Sequence, residues 1–396
     1  MKILHTADWH LGAKTEGKNR IEEQRAVMAE IVELAENEKV DLVIVAGDVF
    51  DQAVPTSEAE DLFYETLENL TKNNNRVVVA IAGNHDDPRR LTAGSHFTNK
   101  HNCIIAGDLT PRIIDSEFNG GYIRKSAEGS VLIEVKSNRG FQKCVVSMLP
   151  YPSESRFEET TKEDSYQGKV KEWARLVCKG FKGDALNILA THLMLVGSRL
   201  NDHQKDECRV GDINAVSKSD LPNADYYALG HIHSFQKMKG NCVYPGSPMK
   251  FDFDQRTAGV VLIETKGKNS IKSIEYMELK TPARMEKVEV GSLVGAEAVL
   301  SEYSNQDIIN LIFVQDEPLN MLTIKSLKSK YPAITKVLLK LKNVLTDDKN
   351  YVCDRSKMEV GNMFVEFYKQ KKLTEPSTEL VALFKQIMEE NSSETN

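Results

Sequence analysis

The first hundred residues alternate between short apolar runs and longer amphipathic segments. Buried strands are predicted where apolar and β-branched residues run without interruption, at Lys2–Ala7, Val40–Ala46 and Arg76–Ala82. Between them, residues 21–40 and 57–72 place apolar side chains at helical spacing, and Ser57 with Glu60 forms the pattern of a capping box. This order of strands and helices predicts a layered α/β domain.

The next stretch of the chain carries shorter apolar runs that glycine and asparagine separate. They predict further strands, packed on the first set, at 103–106, 121–124, 130–135, 143–148, 186–190, 225–229 and 258–264. One helical segment is predicted near Val170–Cys178. A second layer of strands is therefore expected within the same domain.

The composition changes after Pro282. Alternating strands and helices predict a small α+β domain, at 284–290, 293–303, 307–314, 320–331 and 334–341. Two amphipathic helices are predicted beyond a polar link, with apolar stripes at Val360, Met363, Phe364, Phe367 and Tyr368, and at Leu380, Leu383, Phe384, Ile387 and Met388. We therefore predict three parts, 1–280, 281–345 and 346–396.

Composition and charge restrict the class of protein. With 396 residues, 41% hydrophobic and 28% charged, the chain is typical of a globular protein with more than one core. A net charge of −7 gives no global basic field, so any nucleic-acid site must be a local patch. Six cysteines without a C-x-x-C argue against a zinc ribbon or a disulfide framework. The start MKILHTADWH is too short an apolar run for a signal peptide, and no stretch is long enough to span a bilayer, so we expect a reduced, cytoplasmic protein without membrane contact.

Five predicted strands end in side chains that suit metal chemistry. These residues are Asp8 and His10, Asp48, Asn84 and His85, His192, and His231 with His233. In layered α/β folds, ligand sites lie outside the carboxyl ends of the strands, so we expect these side chains to meet at one edge. Without His85 they offer two carboxylates, one amide and four imidazoles, which suits two ions that share a bridging carboxylate. The absence of cysteine favours manganese or iron over a structural zinc.

Each residue alone also has an ordinary structural explanation. An aspartate after a strand is commonly a turn residue or a helix cap, and Gly83-Asn84-His85 could be a simple turn. His192 alone could be a buried histidine with its hydrogen bonds satisfied, whereas two imidazoles at His231 and His233 are seldom needed for packing. Independent structural explanations for the whole set would require a coincidence, so we favour the metal site.

The motifs that carry these residues resemble the signature of the calcineurin-type metallophosphoesterases. They are Asp8-x-His10, Gly47-Asp48, Gly83-Asn84-His85-Asp86, His192 and Gly230-His231-x-His233. More narrowly, the chain resembles the SbcD family of bacterial DNA nuclease subunits along most of its length. That closer resemblance rests on HTADWHLG, Gly47–Asp51 with Pro55, Leu149-Pro150, His192–Gly197, Tyr227–His233 and Tyr244–Pro248.

The resemblance implies a helix-flanked two-sheet β-sandwich metallophosphoesterase domain with a small α+β capping domain and C-terminal helices. It implies a dinuclear manganese site in which Asp48 bridges the ions. One ion would be held by Asp8, His10, Asp48 and His233, and the other by Asp48, Asn84, His192 and His231. His85 would contact the phosphate and protonate the leaving oxygen. Asp86 would be either an orienting partner for a ligand or a helix cap.

The resemblance also implies partners. It implies a nuclease that is exonucleolytic on duplex ends and endonucleolytic on single strands or hairpins, and that acts with the SbcC ATPase. The C-terminal helices would bind the coiled-coil base of SbcC, or would dock on their own domain. A homodimer within a heterotetramer is implied, with residues 21–40 and 57–72 as candidate dimer helices. A lysine cluster in the capping domain would hold a duplex or would form a solvated face, at Lys325, Lys328, Lys330, Lys336, Lys340 and Lys342.

Two features depart from the family pattern. Asp51 stands where archaeal and eukaryotic relatives have histidine, which puts a second active-site histidine in doubt and fits the bacterial branch. The residues after Pro248 also differ from the usual sequence of the family, so the resemblance assigns no DNA contact to them. Two alternative functions stay open: a phosphatase or small-molecule phosphodiesterase, and a scaffold protein that tethers DNA ends.

Overall fold

The computed structural model describes residues 1–118, 120–137, 140–157, 163, 165–200, 215–267, 270–315 and 319–340, and single residues between 364 and 384. The chain divides into two compact units, Met1–Lys342 and Asn343–Asn396. The predicted C-terminal helices lie mostly outside the described residues.

A six-stranded sheet carries the first group of predicted site residues. Its strands, in spatial order, are β16 (Ile271–Glu278), β15 (Gly259–Thr265), β1 (Lys2–Thr6), β4 (Leu42–Ala46), β5 (Val77–Ile81) and β6 (Cys103–Ala106). The strands from β1 to β6 in this order are parallel, and β15 is antiparallel to β1. Parallel pairing places the carboxyl ends of β1, β4 and β5 at the same edge.

An eight-stranded sheet carries the second group. Its strands, in spatial order, are β13 (Gln236–Met238), β14 (Cys242–Tyr244), β12 (Tyr226–Gly230), β11 (Leu186–His192), β10 (Gly140–Leu149), β9 (Ser130–Ser137), β8 (Gly121–Ala127) and β7 (Ser116–Phe118). The neighbours β10, β11 and β12 are parallel, so their carboxyl ends also share one edge.

Three apolar clusters hold the sheets and helices together. Side chains of both sheets, such as Ile44 and Ile188, form one buried cluster, which means that the sheets pack face to face. Val27 and Phe63, from helices α1 (Ile21–Asn37) and α2 (Ser57–Thr71), join a second cluster with the outer face of the first sheet. Trp173, from α5 (Tyr166–Val177), joins a third with the second sheet. Full burial of one such aliphatic side chain contributes about 1.5–3 kcal/mol.

Short elements complete this region. They are the hairpin β2 (Lys14–Thr15) and β3 (Lys18–Asn19), and the one-turn helices α3 (Pro88–Leu91) and α4 (Ser95–Thr98).

A three-stranded parallel sheet follows. It comprises β17 (Met285–Val290), β18 (Ile308–Val314) and β19 (Ile334–Lys340), with helices α6 (Leu293–Leu300) and α7 (Met321–Lys330) between them. Leu311 and Phe313 lie in its own small core. The Nζ of Lys18 donates to the carbonyl oxygens of Asn305 and Asp307, which ties this sheet to the β2–β3 hairpin.

The predicted α/β architecture with mixed sheets and flanking helices is confirmed, with two corrections at helix ends. The N-cap of α2 is Thr56, whose hydroxyl accepts from the amide of Ala59 at 3.4 Å, so the predicted capping box at Ser57 is wrong. Helix α1 ends at Asn37 rather than at residue 40, because Lys39 adopts a left-handed conformation (φ 53°) that no α-helix continues.

Candidate metal centre

The eight predicted site residues come together at the shared edge of the two large sheets. Asp8 and His10 follow β1, Asp48 follows β4, and Asn84 and His85 follow β5. From the opposite sheet, His192 is the last residue of β11, and His231 and His233 follow β12. His10 and His233, which are 223 positions apart in the sequence, are therefore neighbours in space.

The first cluster contains Asp8, His10 and His233. One ligand atom from each lies within 4.8 Å of the other two. The Nε2 atoms of His10 and His233 are only 3.1 Å apart. Asp8 is fully buried and its Oδ1 accepts from the amide of His231, whereas its Oδ2 has no hydrogen-bond partner in the part of the chain that the structure describes.

The second cluster contains Asp48, His192 and His231, and here too one ligand atom from each residue lies within 4.8 Å of the other two. The Nε2 of His192 lies 3.2 Å from Oδ2 of Asp48 and 3.0 Å from Oδ1 of Asn84. The Nδ1 of His231 is 3.0 Å from the same amide oxygen. Because Oδ2 of Asp48 is also 3.7 Å from Nε2 of His10, this carboxylate stands between the two clusters.

This donor set fits divalent cations. A buried carboxylate oxygen without a partner, at Asp8, is costly unless a cation or a proton satisfies it. The Nε2 atoms of His10 and His233 are 3.1 Å apart, within hydrogen-bond distance and close enough for one ion to be bound by both. Carboxylate, amide and imidazole donors suit a metal, and these clusters could hold one.

Unusual backbone geometry aims these side chains. Asp8 (φ 53°), His10 (φ 44°), Asp48 (φ 49°) and His231 (φ 95°) all have positive φ. Each such residue costs about 1–3 kcal/mol and persists only where its surroundings enforce it. Gly83 contributes space, because a Cβ there would lie 2.1 Å from Oδ1 of Asp48.

Asp86 ties two of the ligand loops together. Its fully buried carboxylate accepts from the amides of Gly83 (2.8 Å), Phe50 (2.9 Å) and Val49 (3.1 Å). It therefore orients the Asp48 loop against the loop that carries Asn84. It is not a helix cap, because the N-cap of α3 is the next residue, Asp87.

His85 and Asp51 border both clusters. The amide of His85 donates to Oδ1 of Asp48 at 2.9 Å, and its Nδ1 donates to the carbonyl oxygen of Asp51 at 2.8 Å. This fixes the tautomer that leaves Nε2 for a ligand. The carboxylate of Asp51 lies 3.6 Å from Nδ1 of His10, so it can orient that imidazole as well.

A family model described as "Calcineurin-like phosphoesterase" matches residues 1–235. The chain belongs to the calcineurin-like phosphoesterase family. Members of this metallophosphoesterase family use divalent metals, in keeping with three groups of possible ligands among the described residues: the two clusters above, and His10 with Asp51 and His85.

Two relatives give a more specific comparison than the family model does. The phosphoesterase is 30% identical to the SbcD component of nuclease SbcCD from Bacillus subtilis (strain 168), over 97% of each chain. It is 27% identical to the protein of the same name from Staphylococcus epidermidis (strain ATCC 12228 / FDA PCI 1200), over 73% of this chain and 72% of that one. A solved structure, TT1561 of Thermus thermophilus, covers 62% of this chain and 88% of its own, at 11% identity and a TM-score of 0.34, which is too low to carry an argument.

The charged side chains of the two clusters interact with one another. Burial lowers the pKa of His192, but the carboxylates of Asp48 and Asp8 outweigh it and raise that pKa to about 9. Burial raises the pKa of Asp48, but His192 and His10 hold it well below its usual range. Burial raises the pKa of Asp8 to about 6, and burial together with His192 lowers the pKa of His231 to about 3. At neutral pH, a proton on His192 therefore takes the place of a cation.

The structure adds residues that the sequence patterns did not single out. The ring of Tyr151, just beyond β10, lies 6.1 Å from that of His192 and 6.2 Å from that of His231. The ring of Phe251 lies 5.2 Å from that of His10. Tyr151 closely follows β10, so a search of the residues beyond the carboxyl end of each strand could have identified it. No local sequence signal identifies Phe251.

Three lysines of the predicted cluster, Lys330, Lys336 and Lys340, lie close to carboxylates. Lys330 pairs with Glu297 (2.8 Å) and Lys340 with Glu289 (2.9 Å). Lys336 lies 3.8 Å from Glu16. Lys342 lies outside the described residues. These pairs favour the interpretation of a solvated face for this part of the small sheet. Among the described residues, no helix is long and apolar enough to cross a membrane.

Proposed function

We propose that the protein is a metal-dependent DNA nuclease subunit of the SbcD type, which cleaves duplex ends and single-stranded or hairpin DNA together with an SbcC ATPase. The observation that carries the proposal is the pair of donor clusters on either side of Asp48, in a chain similar over its whole length to a nuclease subunit. A DNA substrate would place this activity in the cytoplasm.

The proposed ligands follow the two clusters. The first ion is assigned to Asp8, His10, Asp48 and His233, and the second to Asp48, Asn84, His192 and His231. Two ions are favoured because the 3.2 Å and 3.7 Å distances place Oδ2 of Asp48 within reach of both imidazole groups. Manganese is favoured because the set contains oxygen and imidazole donors and no thiolate.

The proposed reaction is hydrolysis of a phosphodiester. Two bound cations would neutralise the phosphate and make a water molecule a better nucleophile. His85 is assigned the role of general acid in its doubly protonated form: Nδ1–H would stay bonded to the carbonyl oxygen of Asp51, and the proton on Nε2 would pass to the leaving oxygen. Asp86 and Gly83 would hold His85 and Asp48 in fixed positions relative to each other.

The rest of the chain is assigned to DNA and protein partners. Residues 1–280 would form the nuclease domain as a two-sheet sandwich, 281–345 a capping domain, and 346–396 a linker with helices that bind SbcC. In the C-terminal unit, the rings of Phe364 and Phe384 stack with centroids 4.2 Å apart, which supports two helices with a common apolar seam. Such a helical pair suits the coiled-coil base of an ATPase.

A homodimer within a heterotetramer is part of the proposal. Beside α2, an apolar groove is lined by residues that include Tyr64, Leu67 and Phe97. The exposed fractions are 40% for Tyr64 and 66% for Phe97, and large exposed apolar side chains in a groove favour a contact with a second copy. Sedimentation of wild type and of Phe97→Glu tests this, because a dimer formed through this face should dissociate.

The decisive experiment is manganese-dependent cleavage of end-labelled duplex and hairpin DNA, with and without SbcC and ATP. Wild type should cut, and His85→Ala should keep metal binding but lose about a hundredfold or more in rate, since general acids contribute about 10²–10⁴. His96→Ala is the matched control, because His96 lies in the one-turn helix α4, outside the donor clusters.

Two outcomes would contradict the proposal. Turnover of bis(p-nitrophenyl) phosphate without any DNA cleavage, even with SbcC present, would indicate a small-molecule phosphodiesterase. DNA binding without hydrolysis of either substrate would indicate a tethering scaffold.

A further inference from the structure

A cavity of about 900 Å³ lies against the segment that follows His233. Its lining begins with Ser234 and Phe235, which directly follow His233, and includes three cationic side chains, Arg199, Lys250 and Arg256. We propose that this cavity binds the phosphate backbone of the DNA strand beyond the scissile bond. The inference rests on the proposed nuclease function and names residues that would hold its substrate.

The charge of the cavity supports an anionic occupant. Among the described residues, Arg199, Lys250 and Arg256 form no ion pair. Asp254 is the acidic residue of the lining, and Nζ of Lys287 lies 2.7 Å from its carboxylate. In a chain of net charge −7, this leaves a local cationic surface next to the donor clusters. Lys330 of α7 and Lys340 of β19, by contrast, each have a carboxylate partner.

The wall of the cavity is firmly attached to the metal centre. Gln255, only 2% exposed, donates through Nε2 to Oγ of Ser247 (2.6 Å) and to the carbonyl oxygen of Thr257 (2.9 Å). The amide of Ser247 in turn donates to the carbonyl oxygen of His233 at 3.1 Å. A strand held on this wall would therefore keep a fixed position relative to His233.

The loop that carries Lys250 connects the cavity to the first donor cluster. Its neighbour Phe251 has its ring 6.0 Å from that of His233. Arg20, 3% exposed, supports this loop through a hydrogen bond from Nη1 to the carbonyl oxygen of Lys250. A hydrogen bond from a buried side chain thus holds the backbone of Lys250 in position.

The size and the lining fit a nucleic-acid strand. A volume of about 900 Å³ lies at the upper end of small-molecule sites and exceeds the needs of one phosphate group. Phe253, half-buried in the same lining, adds an aromatic face on which a base could stack. Cations with an interleaved aromatic ring are typical of surfaces that follow a single strand.

The test compares full-length wild type with Lys250→Gln, Arg256→Gln and the double variant. DNA kcat/KM on an end-labelled hairpin is divided by kcat/KM on bis(p-nitrophenyl) phosphate for the same protein, so that changes at the metal centre cancel. This ratio should fall about tenfold for the double variant, because each phosphate contact adds salt-dependent affinity. The slope of log affinity against log salt, measured with catalysis blocked by calcium in place of manganese, should decrease by about one for each cation removed.

Lys237→Gln is the matched control. Lys237 is exposed on β13, next to Gln236 of the lining, but is not itself part of the cavity. It should keep the wild-type ratio and the wild-type slope. An unchanged ratio and slope in the double variant, with wild type cutting DNA, would overturn the inference alone. Failure of wild type to cut DNA would instead overturn the proposed function on which it rests.

Discussion

The metal centre and the small three-stranded sheet differ in which side chains the fold brings together. At the metal centre, imidazoles and carboxylates that could bind a cation converge from distant parts of the sequence. In the small sheet, distant residues form pairs of opposite charge. The Nε2 atoms of His10 and His233 are 3.1 Å apart, and the buried Oδ2 of Asp8 has no hydrogen-bond partner among the described residues. Lys340, by contrast, faces Glu289 at 2.9 Å on an exposed surface. A buried carboxylate oxygen without a hydrogen-bond partner indicates a ligand, whereas an exposed lysine that already faces a carboxylate indicates a surface ion pair.

The largest effect in this comparison should come from Asp48→Ala. Its carboxylate stands between both clusters, so its loss should abolish tight manganese binding and reduce phosphodiester hydrolysis by about a thousandfold or more. Calorimetry of metal binding and hydrolysis of bis(p-nitrophenyl) phosphate measure this. Asp87→Ala, which removes only the cap of α3, should cost about 1 kcal/mol of stability and keep metal binding. Equal losses in both variants would contradict the role given to Asp48.

Gly83→Ala tests whether the centre depends on close backbone approach. The added Cβ would lie 2.1 Å from Oδ1 and 2.2 Å from the amide nitrogen of Asp48, so one of the two loops must move. We expect a loss of about 2–4 kcal/mol in the free energy of unfolding and weaker metal binding. Gly291→Ala is the control, because nothing lies within 4 Å of its Cβ position. Thermal unfolding with and without manganese distinguishes the two, and similar unfolding temperatures would count against this account.

Proton competition at His192 should give a moderate effect. Since its pKa is raised to about 9, the imidazole is protonated at pH 7 and must lose this proton to bind metal. Apparent manganese affinity should therefore rise about tenfold per pH unit up to about pH 9. The raised pKa stabilises the metal-free fold below about pH 6.5, and this contribution is lost as the pH rises through about 9. Titrations at about pH 7, 8 and 9 check the affinity; a flat profile would contradict the ion pair.

The smallest effect is expected in the small sheet. Lys340→Gln removes a lysine that already has a carboxylate partner at its surface, so it should change stability by less than about 0.5 kcal/mol. The salt slope of DNA affinity should also change by much less than one. A decrease as large as that expected for Lys250→Gln would show that the two cationic regions do not differ.

The candidate ligands could be predicted because the relevant signals are local. A run of apolar residues followed by Asp8 or Asp48 identifies both the strand and the donor at its end. The position of Phe251 at the centre could not be predicted in the same way, because its contact with His10 joins two loops that are far apart in the sequence. The role of Asp86 could not be predicted for a related reason. An aspartate just before a helix can accept hydrogen bonds either from the first amides of the helix or from the amides of a neighbouring loop, and the sequence does not distinguish the two.

The sequence by itself determined the α/β pattern, the donor types and the order in which they follow the strands. Only the tertiary structure decided that Asp48 stands between two clusters, that Asp86 joins two ligand loops, and that Lys330 and Lys340 are paired while Lys250 borders an open cavity. The physical reason is the range of the forces involved. Hydrophobic period and turn chemistry act over a few residues, whereas the partner of a charge or a donor is fixed when the sheets pack.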